Sequence, residues 1–230
     1  MRFLEYLQDV AISAANWPAM KRHWPKTFSW GDRSLDYCRS WYHCAWSTER
    51  VVEIPIVHAW LHDSGEVGTC LEVGNVLAHY CNGFPRRTVI DLYERGSGVR
   101  NEDIVTCNLG MYDTGICIST LEHIPETEGR TGQDSIIALR RLQAQCTSLF
   151  VSVPCGYNDR LESAVASELG MAWAYRRVSH AAWEQVEPKD VIGSTRSGFV
   201  RGADAVVIGA SRRDFGGQDK SEDIARNDVQ

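Results

Sequence analysis

The stretch "GTCLEVGNVLAHY", residues 68–80, decides how the chain is read. An apolar run from Cys70 to Val73, broken only by Glu72, stops at one glycine, Gly74, and helix-forming residues follow. In α/β proteins a strand that ends in a glycine turn and feeds a helix is where a nucleotide-bearing cofactor approaches the backbone, over the open N–H groups of the helix start. Such turns commonly carry two or three glycines. Here Gly74 makes the approach alone, and the rest of the chain has to say whether this is a cofactor loop or only a strand end.

Short apolar segments recur around this turn. The pattern predicts strands over 69–73, 88–92, 103–107, 113–119, 148–153, 172–178 and 203–209, with helices over 56–64, 76–82, 134–145 and 160–168. Strands that are apolar without alternation belong to a sheet covered on both faces, and strands alternating with helices imply parallel pairing through right-handed crossovers. The fold class is therefore α/β, one domain over 51–210. Residues 1–50 read as an aromatic-rich extension or lid, with an amphipathic helix over 2–15 and tryptophans at 17, 24, 30, 41 and 46 that serve packing. Residues 211–230 mix glycine and charge with few apolar residues and read as a disordered polar tail.

Composition narrows the function. The net charge is −6, and there is no basic run of the kind a DNA-binding surface needs. No stretch reaches the roughly 20 apolar residues of a membrane span, and Glu5 and Asp9 interrupt the place of a signal peptide's apolar core, so the expected location is the cytoplasm. The eight cysteines form no C-x-x-C pair and several fall in or beside core strands, which favours free thiols. The chain is compatible with a homodimer.

Ligands of open α/β sheets bind beyond the carboxyl ends of the strands. The first strand ends at Glu72 and Gly74. The second ends at Asp91, with Glu94 following; these carboxylates lie 17 and 20 residues past Gly74, and either suits a ribose hydroxyl. The third begins at Asp103, and the fourth, "YDTGICISTLEHI", ends at Ser119 and Thr120. The fifth runs into "VPCGYN", where Tyr157 and Asn158 either shape a turn or line an acceptor pocket.

This order of segments, LEVG, VIDLYE, NEDIV, ISTLEHI and VPCGYN, resembles the class I S-adenosylmethionine-dependent methyltransferases. The resemblance covers roughly residues 50–210. It implies a Rossmann-like, seven-stranded, mainly parallel sheet with the last strand antiparallel and helices on both faces. It implies S-adenosylmethionine as cofactor, with Glu72, Gly74 and Asn75 in the first motif against the amino-acid moiety and Asp91 or Glu94 on the ribose. Asp103 falls at the adenine, and Ser119, Thr120 and Leu121 at the methyl-transfer site. Asn75, Val76 and Ala78 stand where many members carry further glycines.

The reaction implied is in-line transfer of the sulfonium methyl to a small molecule or a saccharide. It is mainly a matter of holding donor and nucleophile at near-attack distance. His123 or Glu122 is the candidate base for a hydroxyl acceptor, with Tyr157 and Asn158 at the substrate. Glu122 and His123 also form part of an E-x-x-E-H metal pattern, but Ser119 replaces its first carboxylate and two ligands do not make a site, so no metal is expected. Two other classes fit parts of the pattern: an inactive methyltransferase-fold binding or scaffold protein, given the missing glycines, and a nicotinamide-dependent oxidoreductase, given Gly74 and Asp91.

Overall fold

The structure is a computed structural model, and it describes residues 24–40, 42, 48–80, 86–179, 182–194 and 203–212. The expected helix over 2–15, Trp17, Trp41 and Trp46, and the polar tail beyond residue 212 lie outside the described residues.

A short hairpin comes first, β1 (Thr27–Trp30) and β2 (Arg33–Asp36), closed by the two-residue loop Gly31-Asp32. Helix α1 (Arg50–Asp63) follows. The main sheet then takes β3 (Cys70–Val73), β4 (Arg87–Ile90), β5 (Val99–Arg100), β6 (Tyr112–Ile118), β7 (Cys146–Pro154), β8 (Met171–Ser179), β9 (Ala182–Val186) and β10 (Ala205–Arg212). Helices α2 (Gly132–Gln145) and α3 (Asp159–Glu168) flank β7 in the chain.

The strand order is β5-β4-β3-β6-β7-β10-β8-β9. The pairs β3–β4, β3–β6, β4–β5 and β6–β7 are parallel, while β10 runs antiparallel between β7 and β8. The fold is thus the Rossmann-like α/β sheet expected, with the last long strand inserted antiparallel. It has eight strands rather than seven, because β9 folds back antiparallel on β8 at the edge. Strand order reverses between β3 and β6, so the crevice beyond their carboxyl ends is where a ligand belongs.

Alternate side chains of the central strands feed two cores. Leu71, Cys117, Val151 and Val207 face α2 and α3, packed with Leu139, Leu142, Leu161 and Val165. Cys70, Ile116, Ile118, Phe150 and Ile208 face α1 and the hairpin, packed with Ile54, Ile56, Trp60, Phe28 and Trp30. Burial on both faces is why these strands read as unbroken apolar runs. The six described cysteines are free thiols.

Three elements differ from expectation. Residues 103–107 form a turn rather than a strand: the Asp103 carboxylate accepts from the Val105 N–H (2.8 Å), its carbonyl accepts from Thr106 and Cys107, and the edge strand lies earlier, at Val99–Arg100. The helix expected over 76–82 is a single 3-10 turn, Leu77–His79. Helix α1 begins at Arg50 instead of residue 56, despite Pro55 inside it. Proline has no N–H to give to the carbonyl four residues back. That carbonyl, on Val51, accepts instead from the backbone N–H of Cys38 (3.0 Å), which ties the segment after the hairpin to the helix.

Gly209 of β10 lies under α3, and a Cβ there would run into the carbonyl oxygen of Val165. Backbone cannot yield as a side-chain tip can, so Gly209→Ala is expected to cost about 1–3 kcal/mol of stability. Urea unfolding of the purified variant checks this; an unchanged midpoint would show that α3 is free to shift.

Candidate functional site

The crevice beyond β3, β4 and β6 is a cavity of about 1010 Å³. That is at the upper end of ligand-pocket sizes and has room for two molecules side by side. Of the expected site residues, Gly74, Asn75, Asp91, Glu94, Asp103, Ser119, Thr120, His123 and Tyr157 line it. Glu72, Leu121, Glu122 and Asn158 do not.

The turn after β3 explains the first of these departures. Glu72 is 1% exposed and lies beneath the turn. Its Oε1 accepts from the N–H groups of Val76 (2.9 Å) and Leu77 (2.7 Å), and its Oε2 pairs with Arg87 of β4. The Asn75 N–H donates to Asp91 Oδ2 at 3.2 Å. Three successive backbone donors that could cradle a bound anion are therefore held by the chain's own carboxylates. Gly74 has φ of +81° and donates to the Ile90 carbonyl at 2.8 Å. A Cβ there would overlap the Thr120 hydroxyl. Glycine is required both by that conformation and by the approach of β6.

The two candidate ribose acids separate on their partners. Asp91 is spent on its own loop: Oδ1 accepts from Tyr93 N–H (2.8 Å) and Glu94 N–H (2.7 Å), and Oδ2 takes Asn75. Glu94 accepts from the Asn75 side-chain amide (2.6 Å) and meets His79 Nε2 (3.0 Å), both through Oε1. Glu94 itself lines the cavity, with a side chain that is 37% exposed. Asp103 lines the cleft with its carboxylate engaged by Arg130 and Val105. Ile90, Leu92 and Ile104 supply an apolar slot beside it.

At the end of β6, Ser119 has φ of +40°. Non-glycine residues persist there only where the surroundings force them. Here the Ser119 N–H donates to the Ser152 carbonyl (2.9 Å) and its hydroxyl donates to Glu53 Oε1 (2.6 Å). Glu53 also holds Arg50 at 2.9 Å, and Arg50 lines the cleft. Leu121 points into the core, with 0% exposure. Asn158 caps α3, its side chain accepting from the Leu161 N–H (3.2 Å), which is what keeps it from the cleft.

His123 meets Glu126 at 3.1 Å through Nδ1 and stands 3.6 Å from Glu122 through Nε2, with the Tyr157 ring edge-on at 5.3 Å. Glu122 is 3% exposed, and neither of its carboxyl oxygens makes a hydrogen bond to a described residue. Burial pushes its carboxyl well above the ordinary carboxylate range, so it sits behind His123 as a neutral acid rather than in the cleft as a base. Among the described residues no group of three or more His, Cys, Asp or Glu side chains is arranged to hold a metal ion. No described helix is long and apolar enough to cross a membrane.

Thr48, Glu49, Arg50 and Glu53, at the start of α1, were not singled out by sequence reasoning. The signal was there in "TERVVEI", where charges three apart interrupt a helix face that is otherwise apolar. Burial raises the Glu49 carboxyl as well, with the Glu53 charge adding to it.

No protein-family model matches the chain, and no curated protein matches it. Among solved structures it is similar to an S-adenosylmethionine-dependent methyltransferase from Clostridium acetobutylicum ATCC 824 (10% identity over 68% of this chain and 89% of the other, TM-score 0.37). It is also similar to a Thermoplasma acidophilum protein (13% identity, 70% and 87%, TM-score 0.41) and to the glycopeptide N-methyltransferase MtfA (12% identity, 68% and 89%, TM-score 0.34). With TM-scores this low, the fold assignment stands on strand order and strand direction.

The raised Glu122 carboxyl has a pH consequence. Its unfolded counterpart ionises near 4.5 while the folded one keeps its proton, so this group stabilises the fold below that pH and the benefit is lost as pH rises. Glu122→Gln is therefore expected to gain on the wild type progressively between acid and neutral pH. Parallel thermal melts across that range check it, and a difference that does not change with pH would show that Glu122 ionises normally in the folded protein.

Proposed function

We propose that the chain is an S-adenosylmethionine-dependent methyltransferase acting on a small molecule or a saccharide. The observation that carries this reading is the turn after β3. A nicotinamide dinucleotide places its pyrophosphate on open N–H groups at a helix start. Here the N–H groups of Asn75, Val76 and Leu77 are taken by Asp91 and Glu72, and the helix is one 3-10 turn. With those donors occupied, the turn has no open N–H groups to offer a diphosphate. A nucleoside cofactor without phosphates loses nothing by this.

The residues present fit such a cofactor. Gly74 keeps the backbone low enough for close approach, Glu94 offers a carboxylate oxygen for ribose hydroxyls, and the slot of Ile90, Leu92 and Ile104 suits a flat base. When bound, S-adenosylmethionine supplies a methyl group already activated by its sulfonium. What remains for the protein is to orient donor and acceptor, exclude water and take up a proton where the acceptor has one to lose. His123 is the group for that proton: its half-exposed ring lines the cleft, with Glu126 at Nδ1 and Glu122 3.6 Å from Nε2. The inactive scaffold reading has less support, because the single glycine already meets the steric demand at the turn.

Calorimetry with S-adenosylhomocysteine and, separately, NADH tests the reading. Binding of the first and not the second is expected; no heat with S-adenosylhomocysteine at millimolar concentration overturns it. Glu94→Gln is expected to weaken that binding about tenfold or more, the worth of a hydrogen bond to a charged group, without lowering the melting temperature. Asp91→Asn is expected to lower both, since its carboxylate holds the loop.

A further inference from the structure

The cavity is larger than a nucleoside needs, and its remaining wall has a definite chemistry. Thr48, Glu49 and Arg50 form one side of it, with Ser119, Tyr42 and Tyr80 adjoining. Around Arg50 stand three carboxyl groups, those of Glu49, Glu53 and Glu122, which are 8%, 0% and 3% exposed. Arg50 is committed to Glu53 at 2.9 Å. Glu49 accepts the Ala203 N–H at 3.0 Å. The buried groups therefore carry more acid than cation.

A second observation is independent of this acid. The Thr48 hydroxyl, on a residue 5% exposed that lines the cavity, has no hydrogen-bond partner among the described residues. Buried hydroxyls are nearly always partnered, and an orphan on the wall of a cavity marks a place where a ligand completes the bond. Third, Tyr42 and Tyr80 stand edge to face with centroids 5.5 Å apart, and Tyr42 stacks on His79 at 4.2 Å. Aromatic faces beside carboxylates are the surroundings in which organic ammonium groups are held.

We propose that this end of the cavity is the acceptor subsite and that the acceptor is an amine. The inference rests on the methyltransferase reading for its donor. The bound ammonium first releases a proton to solvent or to His123; the amine lone pair then forms the new N–C bond while the S–C bond breaks, its electron pair remaining on sulfur. Positive charge passes from the sulfonium to the methylated nitrogen, which leaves as the methylated ammonium. The wall holds three carboxyl groups to one guanidinium, and a cation beside Glu49 takes the place of the proton that burial and the Glu53 charge favour on its carboxyl. A neutral hydroxyl acceptor gains nothing from it, and an acidic acceptor is repelled.

The test uses the full chain, with and without saturating S-adenosylhomocysteine, titrated with n-butylammonium, n-butanol and butyrate. Butylammonium is expected to bind about tenfold or more tightly than butanol, with butyrate weakest. Glu49→Gln is expected to lower amine affinity about tenfold and to leave S-adenosylhomocysteine affinity within about twofold. Thr48→Val, close to an isostere, is expected to weaken the amine several-fold and serves if the Glu49 variant does not fold. Butanol or butyrate matching the amine overturns the proposal, as does a Glu49 variant that weakens S-adenosylhomocysteine as much as the amine, which would assign the acid to the cofactor. Amine binding in a protein that ignores S-adenosylhomocysteine would support the subsite and refute the methyltransferase reading.

Discussion

Glu72 lies at the carboxyl end of β3 with one oxygen on the Val76 and Leu77 N–H groups and the other paired with Arg87 of the neighbouring strand. This buried carboxylate does three things together. It neutralises an arginine that is 13% exposed, it satisfies two backbone donors that a 3-10 turn leaves open, and it fixes where the chain goes after Gly74. Breaking a buried pair by removing one partner strands the other charge and costs about 3–5 kcal/mol. The geometry of Gly74, the packing of Thr120 against it, and so the relation of β3 to β6 at the crevice all follow from that one group.

The charge distribution at the crevice has a consistent logic. At the turn after β3, carboxylates occupy the backbone N–H groups that would otherwise be open to an anion. On the opposite side, the start of α1 brings Glu49, Arg50 and Glu53 against the strained end of β6. The Ser119 backbone is held at φ +40° by bonds to Ser152 and Glu53. A conformation of that kind costs on the order of 1–3 kcal/mol and survives only when its neighbours over-determine it. α1 is therefore structurally part of the site, although it lies before the first strand of the main sheet.

Much of the sheet was legible in the sequence because strands buried on both faces are apolar without interruption, as in "GICI" and "LFVSV". The edge was not: Val99–Arg100 is too short to show a pattern, and Asp103 looked like a strand opening when its carboxylate builds a turn. The hairpin was passed over although its two-residue Gly31-Asp32 loop between Trp30 and Arg33 is a turn signal of its own. At the site, residue type identified the carboxylates, but only partners separate their roles. Nothing in "LEVG" or "STLEH" says that Glu72 and Glu122 turn inward while Gly74 and His123 face the cavity. Asn158 likewise looked like a pocket residue because asparagine serves a helix cap and a ligand equally well.

The bond from Cys38 to Val51, which fills the place left by Pro55, joins the hairpin segment to the helix that carries the Thr48–Glu53 wall. The two sides of the cavity thus have different origins along the chain. The turn, the carboxylates and the apolar slot belong to the sheet and its first crossovers, whereas much of the facing wall comes from residues that precede β3 and are braced by a separate hairpin. Mutations can accumulate in that leading segment without touching the strands that shape the other side. In an evolving lineage, such a division lets one wall of the cavity change its chemistry while the turn and its carboxylates are inherited unchanged.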